Sequence, residues 1–118
     1  MKRKFLIPLA IMACLAAGVF GSLQAETYTH IRVINGLKDY DIHYIYISPA
    51  SSSSWGEDRL YSDQILRPAG SATWNVEAGI YDLKVVDEDS DEYIRRNVSV
   101  PQGFTLEWLV TLDDLESN

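Results

Sequence analysis

Ser71-Ala72-Thr73-Trp74-Asn75-Val76-Glu77-Ala78-Gly79-Ile80-Tyr81-Asp82-Leu83-Lys84-Val85-Val86-Asp87 decides the fold class of this chain. Side chains of an extended strand point to opposite faces with a period of two. In the first half Ala72, Trp74 and Val76 share one face, and Ser71, Thr73, Asn75 and Glu77 share the other. After a tight turn at Ala78-Gly79, Tyr81, Leu83 and Val85 point inward while Asp82 and Lys84 point to water. Two alternating runs of β-branched and aromatic residues, parted by a Gly turn, predict two half-buried strands.

The pattern continues in both directions. It predicts strands over residues 28–35, 41–48, 63–66, 71–77, 80–87, 92–100 and 104–112. The first turn falls at Asn35-Gly36 or through Lys38-Asp39, and a long connection covers 49–61. In the last strand Phe104, Leu106, Trp108 and Val110 share one face, and Leu109 is the large apolar residue on the other. In 92–100, Ile94, Val98 and Val100 alternate, but Arg96 has the same parity, which implies a bulge or an Arg at the sheet rim. Residues 41–48 are apolar on both faces, with His43, Ile45 and Ile47 against Ile42, Tyr44 and Tyr46, as in a central strand with half-covered tyrosines. The fold class is therefore all-β: a seven-stranded antiparallel β-sandwich, immunoglobulin/transthyretin-like, with an acidic tail at 113–118 expected to fray. A core this small leaves little room for an internal ligand, so a site belongs on the loops or on an outer sheet face.

Residues 1–25 read as a cleaved secretory signal peptide of bacterial type. Lys2-Arg3-Lys4 is a basic start, an apolar run follows to Gly21, and Leu23-Gln24-Ala25 offers a cleavage site. The run is roughly 17 residues, short of the ~20 of a spanning helix. Two readings compete: an uncleaved anchor, and a lipoprotein in which Ile11-Met12-Ala13-Cys14 is a lipobox and Cys14 carries the lipid. The domain, 26–112, then has seven basic and 17 acidic residues when the tail is included, a formal charge of −10. Such a balance argues against nucleic acid as a partner. Cys14 is the one cysteine, so the domain has neither a disulfide framework nor a cysteine-ligated zinc.

Three features could carry chemistry. Ser51-Ser52-Ser53-Ser54-Trp55-Gly56-Glu57-Asp58-Arg59-Leu60 holds the capping-box pattern Ser54-x-x-Glu57, which predicts a helical turn from Trp55 to Leu60. It presents Trp55 either as a binding anchor or, with Leu60, as a plug for the end of the sandwich. Asp87-Glu88-Asp89-Ser90-Asp91-Glu92 places Asp at alternate positions, as calcium loops do, but lacks their central Gly and distal bidentate Glu. Asp87, Asp89 and Asp91 are the calcium candidates, and a solvated acidic turn is the plainer reading. His30 and His43 would face each other only if a hairpin turned between Gly36 and Leu37. No Gly-x-Ser-x-Gly, Walker or His-Glu-x-x-His pattern occurs, and the carboxylates cluster on turns, so neither an enzyme nor a cofactor is expected.

Tyr44-Ile45-Tyr46-Ile47-Ser48-Pro49, then Ser53-Ser54-Trp55-Gly56-Glu57-Asp58-Arg59-Leu60, then Ile65-Leu66-x-x-x-Gly70, then Gly79-x-Tyr81-Asp82-Leu83-Lys84-Val85-Val86-Asp87-Glu88-Asp89 stand in order along the chain. This series resembles an uncharacterised family of small exported bacterial β-sandwich proteins. Where that family commonly has Gly after Val-Asp-Glu-Asp, this chain has Ser90. The resemblance implies a fold and a compartment, periplasmic or secreted, and no catalytic residues. The expectation is a monomeric, non-enzymatic module that binds an envelope or secreted protein through Trp55, Gly56, Asp58, Tyr44 and Tyr46. The rivals are a calcium-dependent module, an inhibitor inserting the 49–60 loop into an exported enzyme, and a small hydrolase.

Overall fold

The computed structural model describes residues 28–61 and 63–116. Among them are six strands: β1 (His30–Asn35), β2 (Ile42–Pro49), β3 (Ser71–Asn75), β4 (Gly79–Asp87), β5 (Glu92–Val100) and β6 (Thr105–Val110). They form two three-stranded sheets, ordered β3-β1-β6 and β2-β4-β5. The fold is all-β, and two expected details are corrected. Residues 63–66 form no strand. Only Leu66 pairs, through reciprocal backbone bonds of 2.9 Å with Ile42, before Arg67-Pro68 turns the chain. Nor is every pair antiparallel, because β1 runs parallel to β6, His30 opposite Thr105 through Asn35 opposite Val110. The signal peptide, the anchor alternative and Cys14 lie outside the described residues.

The alternation read from the sequence sets the core. Ile31 and Val33 of β1, Ile45 and Ile47 of β2, Leu83 and Val85 of β4, and Trp108 and Val110 of β6 are buried between the sheets. Ala78-Gly79 is the step between sheets, since β3 pairs with β1 while β4 pairs with β2 and β5. Phe104 does not join the inward row. Its N–H donates to Pro101 O in the turn before β6, and it is exposed. Leu109 is exposed on the outer face opposite Ile34, as its parity required.

Two bulges explain the strands whose parity was irregular. In β5, Tyr81 pairs with Val98 but Leu83 with Arg95, so Arg96 and Asn97 together oppose Asp82. Asn97 takes φ +58°, which Asn tolerates better than most residues, and its N–H donates to Asp82 Oδ1 at 2.9 Å. The extra residue switches the faces: Tyr93 is buried before the bulge, and Val100 after it. In β2, Ile42 pairs with Asp87 but Tyr44 with Val86, which leaves His43 as the extra residue. Ile42 thereby joins Ile45 and Ile47 in the core despite its opposite parity. β2 is an edge strand and not the expected central one. The 49–61 connection and Leu66 cover its edge, which meets the need to shield an unpaired strand.

The tail expected to fray at 113–118 is docked as far as it is described. Leu112–Asp114 form a 3-10 turn capped by Thr111. Asp114 accepts hydrogen bonds from Trp108 Nε1 (3.0 Å), Thr111 N–H (3.1 Å) and Arg95 Nε (3.0 Å). Leu115 bridges to Tyr93, and Glu116 N–H donates to Glu92 O. The tail leaves β6 of one sheet and ends on β5 of the other. A buried indole N–H without an acceptor costs roughly 1–3 kcal/mol, and Asp114 removes that cost.

Candidate functional site

The connection after β2 is fixed by its own polar side chains. Ser48 Oγ donates to Ser54 O at 2.7 Å, Ser54 N–H donates to Ser52 Oγ, and Gly56 N–H donates to Ser54 Oγ. Serine hydroxyls compete with helix formation in this way, and no helical turn forms over 55–60. The expected capping box therefore fails: Ser54 bonds Gly56. Gly56 takes φ +78° and turns the chain down the sheet edge. Asp58 Oδ1 then accepts from Ile45 N–H and Leu60 N–H, both at 2.9 Å. Arg59 N–H donates to Ile45 O at 2.7 Å, and its guanidinium reaches Ile47 O. Leu60 enters the core. In Trp-Gly-x-Asp-x-Leu, three of the four fixed positions thus clamp the connection onto β2.

Trp55 is the fourth. It is half-buried, yet it does not plug the end of the sandwich, because the connection lays it on the outer face of the β2-β4-β5 sheet. Lys84 of β4 reaches up from that face with its Nζ 4.8 Å from the centre of the Trp55 ring and 5.0 Å from that of Tyr46. Glu92 Oε2 lies 3.7 Å from the same ammonium. The Arg96 guanidinium stands 5.3 Å from the Trp55 ring and pairs with Asp82 at 3.5 Å. The two rings cover Lys84 so well that its side chain is only 13% exposed. Tyr44, opposite Val86 and next on the same face, is 46% exposed. Burial pushes the Tyr46 phenol above its ordinary pKa, and the charge of Asp58, then Tyr44 and Glu92, add to the rise. Tyr46 therefore stays neutral and offers its ring as a π donor.

No protein-family model matches the chain, and no curated protein is significantly similar to it. Among solved structures, the NMR structure of a protein from Eubacterium rectale is similar, with 13% identity, 80% of this chain and 88% of that chain covered, and a TM-score of 0.50. The likeness is one of fold alone.

Of the binding candidates, Tyr46 and Trp55 meet at one ammonium, Tyr44 adjoins them, and Gly56 and Asp58 act on the backbone of the connection. The sequence pointed to neither Lys84 nor Arg96 nor Glu92. Parity alone points Lys84 to water, and only the register of the β2–β4 pair sets it opposite Tyr46.

In the acidic hairpin Glu88, Asp89, Asp91 and Glu92 are exposed, as a solvated turn requires, and Asp87 is the one carboxylate that departs from that reading. Asp87 is 2% exposed. Its Oδ1 accepts from Asp89 N–H (2.9 Å) and Asp91 N–H (3.0 Å), and its Oδ2 accepts from the Tyr93 hydroxyl (2.7 Å). Three of the four lone-pair directions of this carboxylate are thus taken by donors, which leaves little for calcium. Among the described residues no group of three or more His, Cys, Asp or Glu is arranged to hold a metal ion. His30 and His43 lie on strands of different sheets and do not face each other. Ser90 takes φ +68° at the hairpin tip, a conformation that disfavours any Cβ. Ser90→Gly should raise stability by about 0.5–1 kcal/mol. Thermal melts should then show a midpoint higher by a few degrees, with spectra unchanged.

Proposed function

We propose that this chain is an exported, non-enzymatic interaction module of the bacterial cell envelope, monomeric, which binds a partner protein through the outer face of the β2-β4-β5 sheet. We read the two-sheet arrangement as immunoglobulin- or transthyretin-like. Export rests on the leader-like order of residues 1–25. Among the described residues no helix is long and apolar enough to cross a membrane. One observation carries the binding face: Trp55 is spent on the outer surface, against Lys84 and Arg96, on a face that also exposes Tyr44, while the core closes without it. Trp and Tyr are enriched among the few residues that carry most of the energy at protein interfaces. The inhibitor alternative needs the 49–60 loop to project, and this loop lies flat on its own sheet.

Trp55→Ala separates an interaction residue from a structural one. It removes two cation–π contacts and some apolar cover, a loss of about 1–2 kcal/mol. A core indole such as Trp108 would cost about 3–5 kcal/mol. The variant should remain folded by urea titration, and its crosslinks to a partner in native envelope should disappear. Retention of those crosslinks, or a loss of stability on the scale of a core tryptophan, refutes the proposal.

A further inference from the structure

We propose that the Trp55 face is a cation cage whose ligand is the ammonium group of a lysine on a basic segment of the partner protein, and that Lys84 is the resident occupant which this lysine replaces. The inference rests on the interaction module above and names the chemistry it recognises. Two rings from separate parts of the chain, Tyr46 on β2 and Trp55 in the connection, converge on one ammonium at 5.0 and 4.8 Å. The carboxylate of Glu92 closes a third side at 3.7 Å and is half-exposed, so it remains open to an incoming cation. Across the Trp55 ring the Arg96 guanidinium stands at 5.3 Å, with Asp82 at 3.5 Å to offset its charge, so Glu92 is the carboxylate that faces the ammonium. Aromatic walls with a carboxylate beside them are the arrangement that holds ammonium groups, through the quadrupole of each ring and a nearby negative charge. The wider field has the same sign, because residues beyond the leader carry seven basic against 17 acidic side chains. Such a surface speeds the arrival of a basic partner and opposes an acidic one.

Lys84 makes the exchange cheap. The incoming lysine takes over the contacts with Tyr46, Trp55 and Glu92. Lys84, on a flexible four-carbon stem, regains hydration and rotamer freedom in water. While Lys84 is seated the cage is closed to other cations, so apparent affinity is reduced by the fraction of time the cage is free.

The test uses tetramethylammonium and a short oligolysine peptide as probes, with sodium chloride at equal ionic strength as control. NMR follows the Trp55 indole N–H of the whole domain. Lys84→Met keeps the stem and removes the charge; Lys84→Gln serves as a second variant if Met perturbs the sheet. In either variant tetramethylammonium should shift the indole signal with a Kd about tenfold lower than in the wild type. Adding Trp55→Ala should abolish the tetramethylammonium response and weaken oligolysine binding. If neither Lys84 variant binds either probe more tightly than the wild type, the cage is refuted and Lys84 is a fixed staple. Loss of partner crosslinks in Trp55→Ala alongside that result would leave the interaction module standing. Crosslinks that persist in Trp55→Ala would refute both the module and the cage.

Discussion

Asp87→Ala should lower the stability of the domain by about 3 kcal/mol or more, a substantial share of the roughly 5–10 kcal/mol available to a domain of this size. The carboxylate is 2% exposed and accepts three hydrogen bonds. Two come from N–H groups that turn the hairpin, and these regain water when Asp87 is lost. The third comes from Tyr93, which is 1% exposed and has no such recourse. A buried hydroxyl left without an acceptor accounts for about 1–3 kcal/mol of the loss, and the two backbone bonds for about 1 kcal/mol each. Tyr93→Phe in the wild type strands Asp87 Oδ2 and should also destabilise. The double variant should be less destabilised than the sum of the two, with a coupling of at least about 1 kcal/mol in urea titrations. Strict additivity would mean that the Tyr93–Asp87 bond contributes nothing. Millimolar calcium should leave the melting midpoint of the wild type unchanged; a rise would revive the calcium module and contradict the geometry of Asp87.

The same pair gives the protein an alkaline limit. Burial, and then the hydrogen bond to Asp87, raise the Tyr93 phenol far above its ordinary value of 10.0. Above that pH the unfolded chain releases the proton while the folded chain keeps it. The native state then holds more protons than the unfolded state, so stability falls as pH rises. Below pH 10 both states are protonated and this contribution is constant. Tyr93→Phe removes the group, and its stability profile between pH 10 and 12 should be flatter than that of the wild type.

What the sequence disclosed and what it concealed divide along a physical line. Alternation is a property of single strands, so Trp108, Leu83 and Val85 could be placed inward from their spacing. The parity of Arg96 left a bulge or a rim position open, and the bulge is what forms, because a period of two survives an inserted residue only by changing face. Pairing is a property of two strands and leaves no such mark. Nothing in His30–Asn35 or Thr105–Val110 specifies that they run parallel. The doubly apolar Ile42–Pro49 imitated a central strand for two separate reasons. The bulge at His43 brings Ile42 into the core, and Trp55 with Lys84 covers Tyr46 on the outer face. The candidate site was half visible in the same way. Trp55 and Tyr46 stood out as aromatic residues, whereas Lys84 became part of their site only when the long connection folded back across its own sheet.

Asn35→Asp should be the most damaging isosteric change in the domain. Asn35 is 1% exposed and uses its whole amide. Nδ2 donates to Tyr40 O (2.9 Å) and Leu66 O (2.8 Å), and Oδ1 accepts from Leu37 N–H (2.8 Å). It thereby ties the end of β1 both to the loop that crosses between the sheets and to the bridge that shields the edge of β2. Replacement by Asp opens no cavity, so any loss measures polar pairing alone. It sets a buried carboxylate against two carbonyl oxygens, at a cost of about 3–5 kcal/mol. Acid should relieve part of it. Desolvation and the two carbonyls raise the pKa of the new carboxyl in the folded state above the ~3.9 of an unfolded Asp. Between those two values the folded variant binds the extra proton, so its stability rises as pH falls. The protonated acid regains one donor and can serve one of the two carbonyls. Urea titrations at pH 7 and pH 4 should therefore show a large deficit relative to the wild type that narrows in acid. A deficit below about 1 kcal/mol at pH 7, or one that fails to narrow, would mean that Asn35 is a passive residue of the turn and not the joint between the two sheets.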